Sequence, residues 1–178
     1  LALAYGGYNP SYSALTESWN GTSWTEQADL STAKYALSGS GASSTSAIAA
    51  GGNGPPNLSQ TEEWTAPSTL HQINLGQVYF NKTANAFKVT EQPVPSGTWA
   101  SGGSLNTPRG YNTGAGTQTT ALSISGYDPG GTKANVESYN GSTWTETGDV
   151  NVGRSEGAGF GTSSAANFAG GNSPSAPG

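Results

Sequence analysis

The chain has 178 residues, a net charge of −5 and only six Lys and Arg, too few for the cationic surface that phosphate backbones demand. No apolar run approaches the ~20 residues of a bilayer-spanning helix, and the absence of Cys excludes disulfides, thiolate metal sites and cysteine nucleophiles. Leu, Ile, Val and Phe make up only about 13% of the residues, which raises disorder, but charge is equally sparse and the aromatics recur at fixed spacing.

The first element, Leu1–Gly7 (LALAYGG), reads as a strand closing on a Gly pair and enters in the middle of a pattern. Thr16–Gly52 then runs TESWNGTSWTEQADLSTAKYALSGSGASSTSAIAAGG. It offers a strand ending at Trp19, a hairpin turn at Asn20–Gly21 and a second strand marked by Trp24. The Asn–Gly pair predicts a type I′ turn, whose two central residues take positive φ. Lys34 precedes a strand over Tyr35–Ala42, which turns at Ser43–Ser46 into a small-residue strand ending at Gly51–Gly52. After the loop Asn53–Asn57, Thr61–Trp64 (TEEW) opens a second copy. Its continuation is delayed until Trp99, because Trp19 and Trp24 are five apart whereas Trp64 and Trp99 are 35 apart, an insertion of 30 residues. Within that insertion, Thr65–Pro95, the segments Gln77–Asn81 and Ala86–Glu91 predict a hairpin with Val78, Phe80, Phe87 and Val89 available to one face. An inserted hairpin of this kind is expected to meet a partner or to fold back on its own domain.

A further copy, Val136–Gly171, reads VESYNGSTWTETGDVNVGRSEGAGFGTSSAANFAGG and supplies Tyr139, Asn140–Gly141, Trp144, Arg154 and Gly170–Gly171. Trp19 to Trp64, Trp99 to Trp144 and Arg109 to Arg154 are each 45 residues. No 11-residue window sustains a helical period, so the chain is predicted all-β, with four short strands per repeat.

The order of cation, G-x-G strand, small-residue strand with Gly–Gly, E-S-aromatic strand, Asn–Gly turn and Trp resembles the kelch repeat. The match covers nearly all of the chain outside the insertion and departs at Ser125–Gly126, where Ser replaces the first Gly. The resemblance implies a β-propeller with blades packed face to face, filling residues 1–178 and carrying the inserted hairpin at 65–95. Three repeats and a leading strand fall short of the four to eight blades that close a propeller, so part of a longer propeller is expected. The diction (ESWNGTSWTE, SLNTPRGYNTGAGTQTTAL, GQVYFNKTANAFKV) also resembles the repeat-rich tail and fibre proteins of bacteriophages.

Residues that recur in every unit are expected to serve the unit. Trp19, Trp24, Trp64, Trp99, Tyr139 and Trp144 are read as structural marks, and Trp24, Trp99 and Trp144 are expected at equivalent, largely buried places. The alternative is a sugar-stacking ladder. Lys34, Arg109 and Arg154 with Glu17, Glu62 and Glu137 are expected to form ion pairs between units or hydrogen bonds to strand carbonyls, the alternative being an acid/base or anion site. The Gly pairs are not phosphate cradles, because no helix follows them. Catalysis is not expected: the one His, His71, has no nucleophile elbow beside it, and the His and Cys ligands of the kelch-type copper oxidases are missing. Asp128 before Pro129–Gly130–Gly131 is read as a turn in preference to a Ca²⁺ loop. Asn20, Asn57, Asn81 and Asn140 lie in glycosylation sequons that matter only in a host that glycosylates.

The function expected is that of a non-enzymatic virion component, a tail or fibre protein with receptor or glycan recognition, located in the virion or outside the cell. It would use no cofactor and would partner its own copies, other virion or fibre proteins, or a cell-surface glycan. The alternatives are a microbial fibre or adhesin subunit completed by strand exchange and, third, a propeller-scaffold hydrolase or lyase. Leu1–Gly7 leaves one edge unpaired in its own repeat, so that edge is expected to be covered by residues from outside it.

Overall fold

The structure is a computed structural model that describes residues 2–54, 56–66, 78–83, 85–89 and 97–173. Among them there is no helix, only antiparallel strands and turns. Four repeat sheets follow one another along the chain. The first holds β1 (Ala2–Tyr5), β2 (Thr16–Trp19) and β3 (Trp24–Glu26). The second begins with β4 (Ser38–Ser43), β5 (Ser46–Ala50) and β6 (Thr61–Thr65). The chain then makes the inserted hairpin, β7 (Val78–Asn81) and β8 (Ala86–Val89), and returns as the outer strand β9 (Thr98–Ser101) to give the order β4-β5-β6-β9. The third sheet starts with β10 (Thr113–Gly116) and β11 (Ala121–Ile124). A short side ladder, β12 (Tyr127–Asp128) with β13 (Gly131–Thr132), precedes its last strands, β14 (Val136–Tyr139) and β15 (Trp144–Thr147). The fourth sheet has two strands, β16 (Ala158–Thr162) and β17 (Ala165–Ala169).

The aromatic marks explain the register. Trp19 stands opposite Trp24, Trp64 opposite Trp99 and Tyr139 opposite Trp144, with ring centroids 5.5, 5.4 and 4.8 Å apart. Each pair sits where the third strand turns into the fourth, and aromatic cross-strand pairs are among the stronger determinants of register. The insertion therefore replaces one tight turn at the outer edge of the second sheet. The tight turns themselves are not type I′. Gly21 and Gly141 take positive φ, but Asn20 and Asn140 do not. Their side chains instead accept the N–H groups of Thr22 and Ser23, and of Ser142 and Thr143, at 2.8–3.0 Å. Asparagine is used here as an acceptor that closes a four-residue loop.

Successive sheets pack through two kinds of contact. The inner strands β4, β10 and β16 lie side by side, and glycine makes the approach possible. A Cβ on Gly114 would stand 2.6 Å from Ser38 Oγ and 2.8 Å from the Gly39 carbonyl; one on Gly159 would meet Thr113 at 2.8 Å. Farther out, two of the fourth-strand tryptophans reach back to the preceding sheet. The indole N–H of Trp144 donates to Thr61 Oγ1 at 2.9 Å, and that of Trp99 donates to Thr16 Oγ1 at 3.0 Å. Trp144 and Tyr139 thus join Ile48, Ala50, Leu105 and Ala121 in the main core.

The expectation of three equivalent buried tryptophans is corrected here. Trp144 is 6% exposed and Trp99 half-buried, but Trp24 is 49% exposed. The three share one place in the repeat, yet burial comes from the neighbouring sheet, and among the described residues the first sheet has none before it. Trp144→Ala should therefore cost about 3–5 kcal/mol in chemical denaturation, whereas Trp24→Ala should cost about 1 kcal/mol, the worth of its cross-strand contact with Trp19.

Candidate functional site

Between one sheet and the next the chain crosses from an outer strand back to an inner one, and the polar residues of the repeat gather on these crossovers. In the first, Lys34 Nζ lies 3.0 Å from Glu62 Oε1; in the second, Arg109 Nη1 lies 3.1 Å from Glu137 Oε1. All four side chains are buried. Each glutamate's carboxylate also accepts a backbone N–H three residues before the cation, Ser31 to Glu62 at 2.7 Å and Asn106 to Glu137 at 2.7 Å. Asn106 Nδ2 adds a bond to Glu137 at 2.8 Å. The expected ion pairs therefore exist, and each fastens a crossover to the third strand of the sheet it leads into. Burial pulls the Arg109 guanidinium below its ordinary value, opposed first by the Glu137 charge.

The other side of each crossover is held by the Gly pair of the preceding sheet. Gly7 donates its N–H to the Lys34 carbonyl, Gly52 to that of Arg109 and Gly126 to that of Arg154, at 2.9–3.0 Å. The first residue of each pair is left-handed (Gly6, Gly51, Ser125 and Gly170, φ +58 to +68°). At Gly51 a Cβ would come within 2.6 Å of the Arg109 carbonyl, which explains the glycine. Ser125 keeps the same backbone at φ +58°. Its hydroxyl lies 2.7 Å from the Lys133 carbonyl and 2.6 Å from the Arg154 carbonyl, either of which takes its one proton, and it accepts the Arg154 N–H at 2.8 Å, so bonds to the following loop and crossover offset the strain. A second series of left-handed residues, Ala36, Tyr111 and Glu156, follows two positions after the cations. Tyr111 donates its N–H to the Ala36 carbonyl at 2.6 Å and Glu156 to that of Tyr111 at 3.0 Å, stitching three sheets in a row.

Among the described residues, Glu17 and Arg154 stand at the same repeat positions without joining such an ion pair. Glu17, in the place of Glu62 and Glu137, is exposed. Arg154, in the place of Lys34 and Arg109, lies 4.6 Å over the Phe168 ring, and its buried Nε has no hydrogen-bond partner among the described residues. Asp128 behaves as a turn residue, accepting the Gly130 N–H at 2.7 Å and pairing with Lys133 at 3.0 Å. No group of metal-ligating side chains occurs among the described residues. His71 lies outside them. Asn20 and Asn140 occupy tight turns, and Asn57 donates to the Tyr127 carbonyl at 2.9 Å.

The surface feature that sequence reading missed is a cluster of tyrosines on the loops around the Gly pairs. Tyr12 stacks on Tyr35 with centroids 5.5 Å apart, Tyr8 leans on both, and Tyr35 meets Tyr111 edge-on with the two hydroxyls 3.1 Å apart. Asn53 Nδ2 donates to the Tyr35 hydroxyl. The Tyr111 hydrogen bond, with burial, pushes Tyr35 up to about 12. Tyr8 is 62% exposed. These residues occupy different repeat positions, so only the fold brings them together; the Tyr following Gly7 was the one legible hint. A second exposed aromatic group is on the inserted hairpin, which forms as expected with Phe80 opposite Phe87 and Val78 exposed beside them. The side chain of Val89 lies outside the described residues.

No family model and no curated protein matches the chain. Among solved structures, one titled "Structure of YjhT" superposes with a TM-score of 0.62 and 10% identity, covering 92% of this chain and 46% of that one. The likeness is one of fold, and this chain spans about half the length of that structure.

Two outcomes test the site. Glu137→Gln leaves Arg109 buried without its counter-charge and should cost about 3–5 kcal/mol, while replacing both partners by apolar residues should be far milder. Burial and the bond to Glu63 push the Tyr139 hydroxyl up to about 12, and burial does the same for Tyr5, from 10.0 in each case. Below pH 10 both states hold these protons; between about pH 10 and 12 the unfolded chain releases them first. Thermal stability should therefore be level to about pH 10 and fall beyond it, and Tyr139→Phe should flatten that fall.

Proposed function

We propose that the four sheets are successive blades of a kelch-like β-propeller. In this reading the chain is a non-enzymatic structural and surface-binding module, a virion tail or fibre component that recognises a receptor or glycan outside the cell. The observation that carries the reading is the fate of the repeated residues. Lys34, Glu62, Arg109 and Glu137 are consumed in buried ion pairs, and the Gly pairs hold crossovers. The repeat thereby serves the scaffold, and the groups left to meet a partner are the unrepeated ones. Foremost among these are Tyr8, Tyr12 and Tyr35, a neutral aromatic surface with hydroxyl rims. Such faces stack on the CH surfaces of sugars while the hydroxyls bond to the sugar rim. Carboxylates already committed to cations are poorly placed for acid/base hydrolysis, which favours binding over a hydrolase or lyase.

A second reading, an extracellular fibre or adhesin subunit, is favoured by the inner edge of β1, which has no strand against it among the described residues. The gene's neighbourhood distinguishes the two, capsid and tail genes belonging to the first. The binding claim is tested by immobilising the protein and presenting bacterial surface polysaccharides. Binding that falls about tenfold or more in Tyr8→Ala/Tyr12→Ala, with unchanged melting, is the expected outcome. Turnover of a glycoside or ester substrate would contradict the reading, as would saccharide binding indifferent to those tyrosines.

A further inference from the structure

The tyrosine cluster and the chain's free cations lie at opposite ends of the second sheet. Tyr8 and Asn53 each follow a Gly pair, and Gly51 donates its N–H to the Gln60 carbonyl just before β6 begins at Thr61. From there β6 runs to Thr65, on the side from which the hairpin is inserted. That strand alone spans about 13 Å, more than the ~8 Å over which physiological salt screens a charge.

Every Lys and Arg of the chain is among the described residues, so the cations are fully accounted for. Lys34 and Arg109 are buried against Glu62 and Glu137, Lys133 pairs with Asp128 at 3.0 Å, and Arg154 lies over the Phe168 ring. Lys82 and Lys88 are exposed on the hairpin and join no ion pair among the described residues. At the cluster the unpaired ion is instead a carboxylate. Glu156 is exposed, has no ion-pair partner among the described residues, and is tied to Tyr111 by the bond from its N–H to the Tyr111 carbonyl.

The cluster also keeps a spare proton. Tyr35 accepts from Asn53 Nδ2 and shares one hydrogen bond with Tyr111, the two phenolic oxygens 3.1 Å apart. One shared bond uses one of the two phenolic protons, so the other remains to donate whichever way that bond runs. Among the described residues it has no acceptor. Beside it stand the exposed ring of Tyr8 and the stacked pair of Tyr12 and Tyr35.

We infer that the cluster selects uncharged hexopyranoses and discriminates against acidic saccharides. The inference rests on the glycan-binding reading given above and names the class of sugar. The CH face of a pyranose covers the aromatic surface, and one of its hydroxyl oxygens accepts the spare phenolic proton. A uronate, sialate or sugar phosphate would fill the same contacts, but it would bring its charge up to Glu156 with no free cation at that end. Two like charges about 7 Å apart at a protein surface disfavour each other by about tenfold or more. Discrimination of this kind comes from a repulsive group beside the site as much as from the attractive ones within it.

A printed array of uncharged and acidic saccharides, probed with the labelled 178-residue chain, tests this. Uncharged hexopyranoses should be bound, with affinity changing less than about twofold between low and high salt, because no phosphate or carboxylate is being neutralised. Tyr35→Phe/Tyr111→Phe keeps both rings, removes both hydroxyls and should weaken that binding by about fivefold. Glu156→Lys, at an exposed position, should raise binding of acidic saccharides by about tenfold or more and leave the uncharged ones unchanged. Acidic saccharides bound best by the parent, in a manner that Tyr8→Ala abolishes, would overturn the inference and leave the glycan reading standing. Indifference of the acidic saccharides to Glu156→Lys, or of the uncharged ones to the double phenylalanine change, would overturn it as well. An array with no saccharide bound, or with binding untouched by Tyr8→Ala, would overturn both.

Discussion

The crossover, gripped from both sides, is the constraint on which the rest of the molecule depends. Its cation is buried against a glutamate of the sheet ahead, and its carbonyl is bound by the Gly pair of the sheet behind. A buried ion pair is weak evidence for stability, since desolvation offsets most of the Coulomb gain. What it supplies here is position. The glutamate has four lone-pair directions to fill, and Glu137 fills them with Arg109, the backbone N–H groups of Asn106 and Thr107 and the Asn106 amide, which holds the crossover in one conformation. Once it is fixed, the distance between successive inner strands is fixed as well. The glycines of G-x-G then become obligatory, because the strands come too close for a Cβ.

Most of this scaffold was legible in the residues. The 45-residue period, the Trp pairs and the split second copy are sequence facts, and the observed pairing of Trp64 with Trp99 across the insertion follows from them. The partnership of Lys34 with Glu62 was legible as a kind of contact. Its direction was not, because spacing alone does not say whether a cation reaches forward or back. Trp24 misled for a physical reason: a repeat describes each unit as though it had both neighbours, and burial is a property of the pair. The Asn–Gly turns misled in another way. Asn favours a left-handed backbone and also accepts backbone N–H groups, and here the second tendency prevails. The tyrosine cluster was invisible because Tyr8, Tyr12, Tyr35 and Tyr111 share no spacing, and loops from three sheets must converge before they meet.

The division of labour follows from this. Repetition removes residues from function by giving each a structural partner in the next unit, and what escapes repetition stays available at the surface.

Native-state amide hydrogen exchange tests the gripped crossover most directly, because the amides concerned are single and assignable. The N–H groups of Gly52, Gly126, Tyr111 and Glu156 each bond to a carbonyl of an adjacent unit. If the crossovers hold the sheets together, these four amides exchange as slowly as those of β5 and β11 and open only with global unfolding. Exchange of the four at the rate of exposed turn amides such as that of Gly21, while β5 and β11 stay protected, would mean that the sheets are held by other contacts.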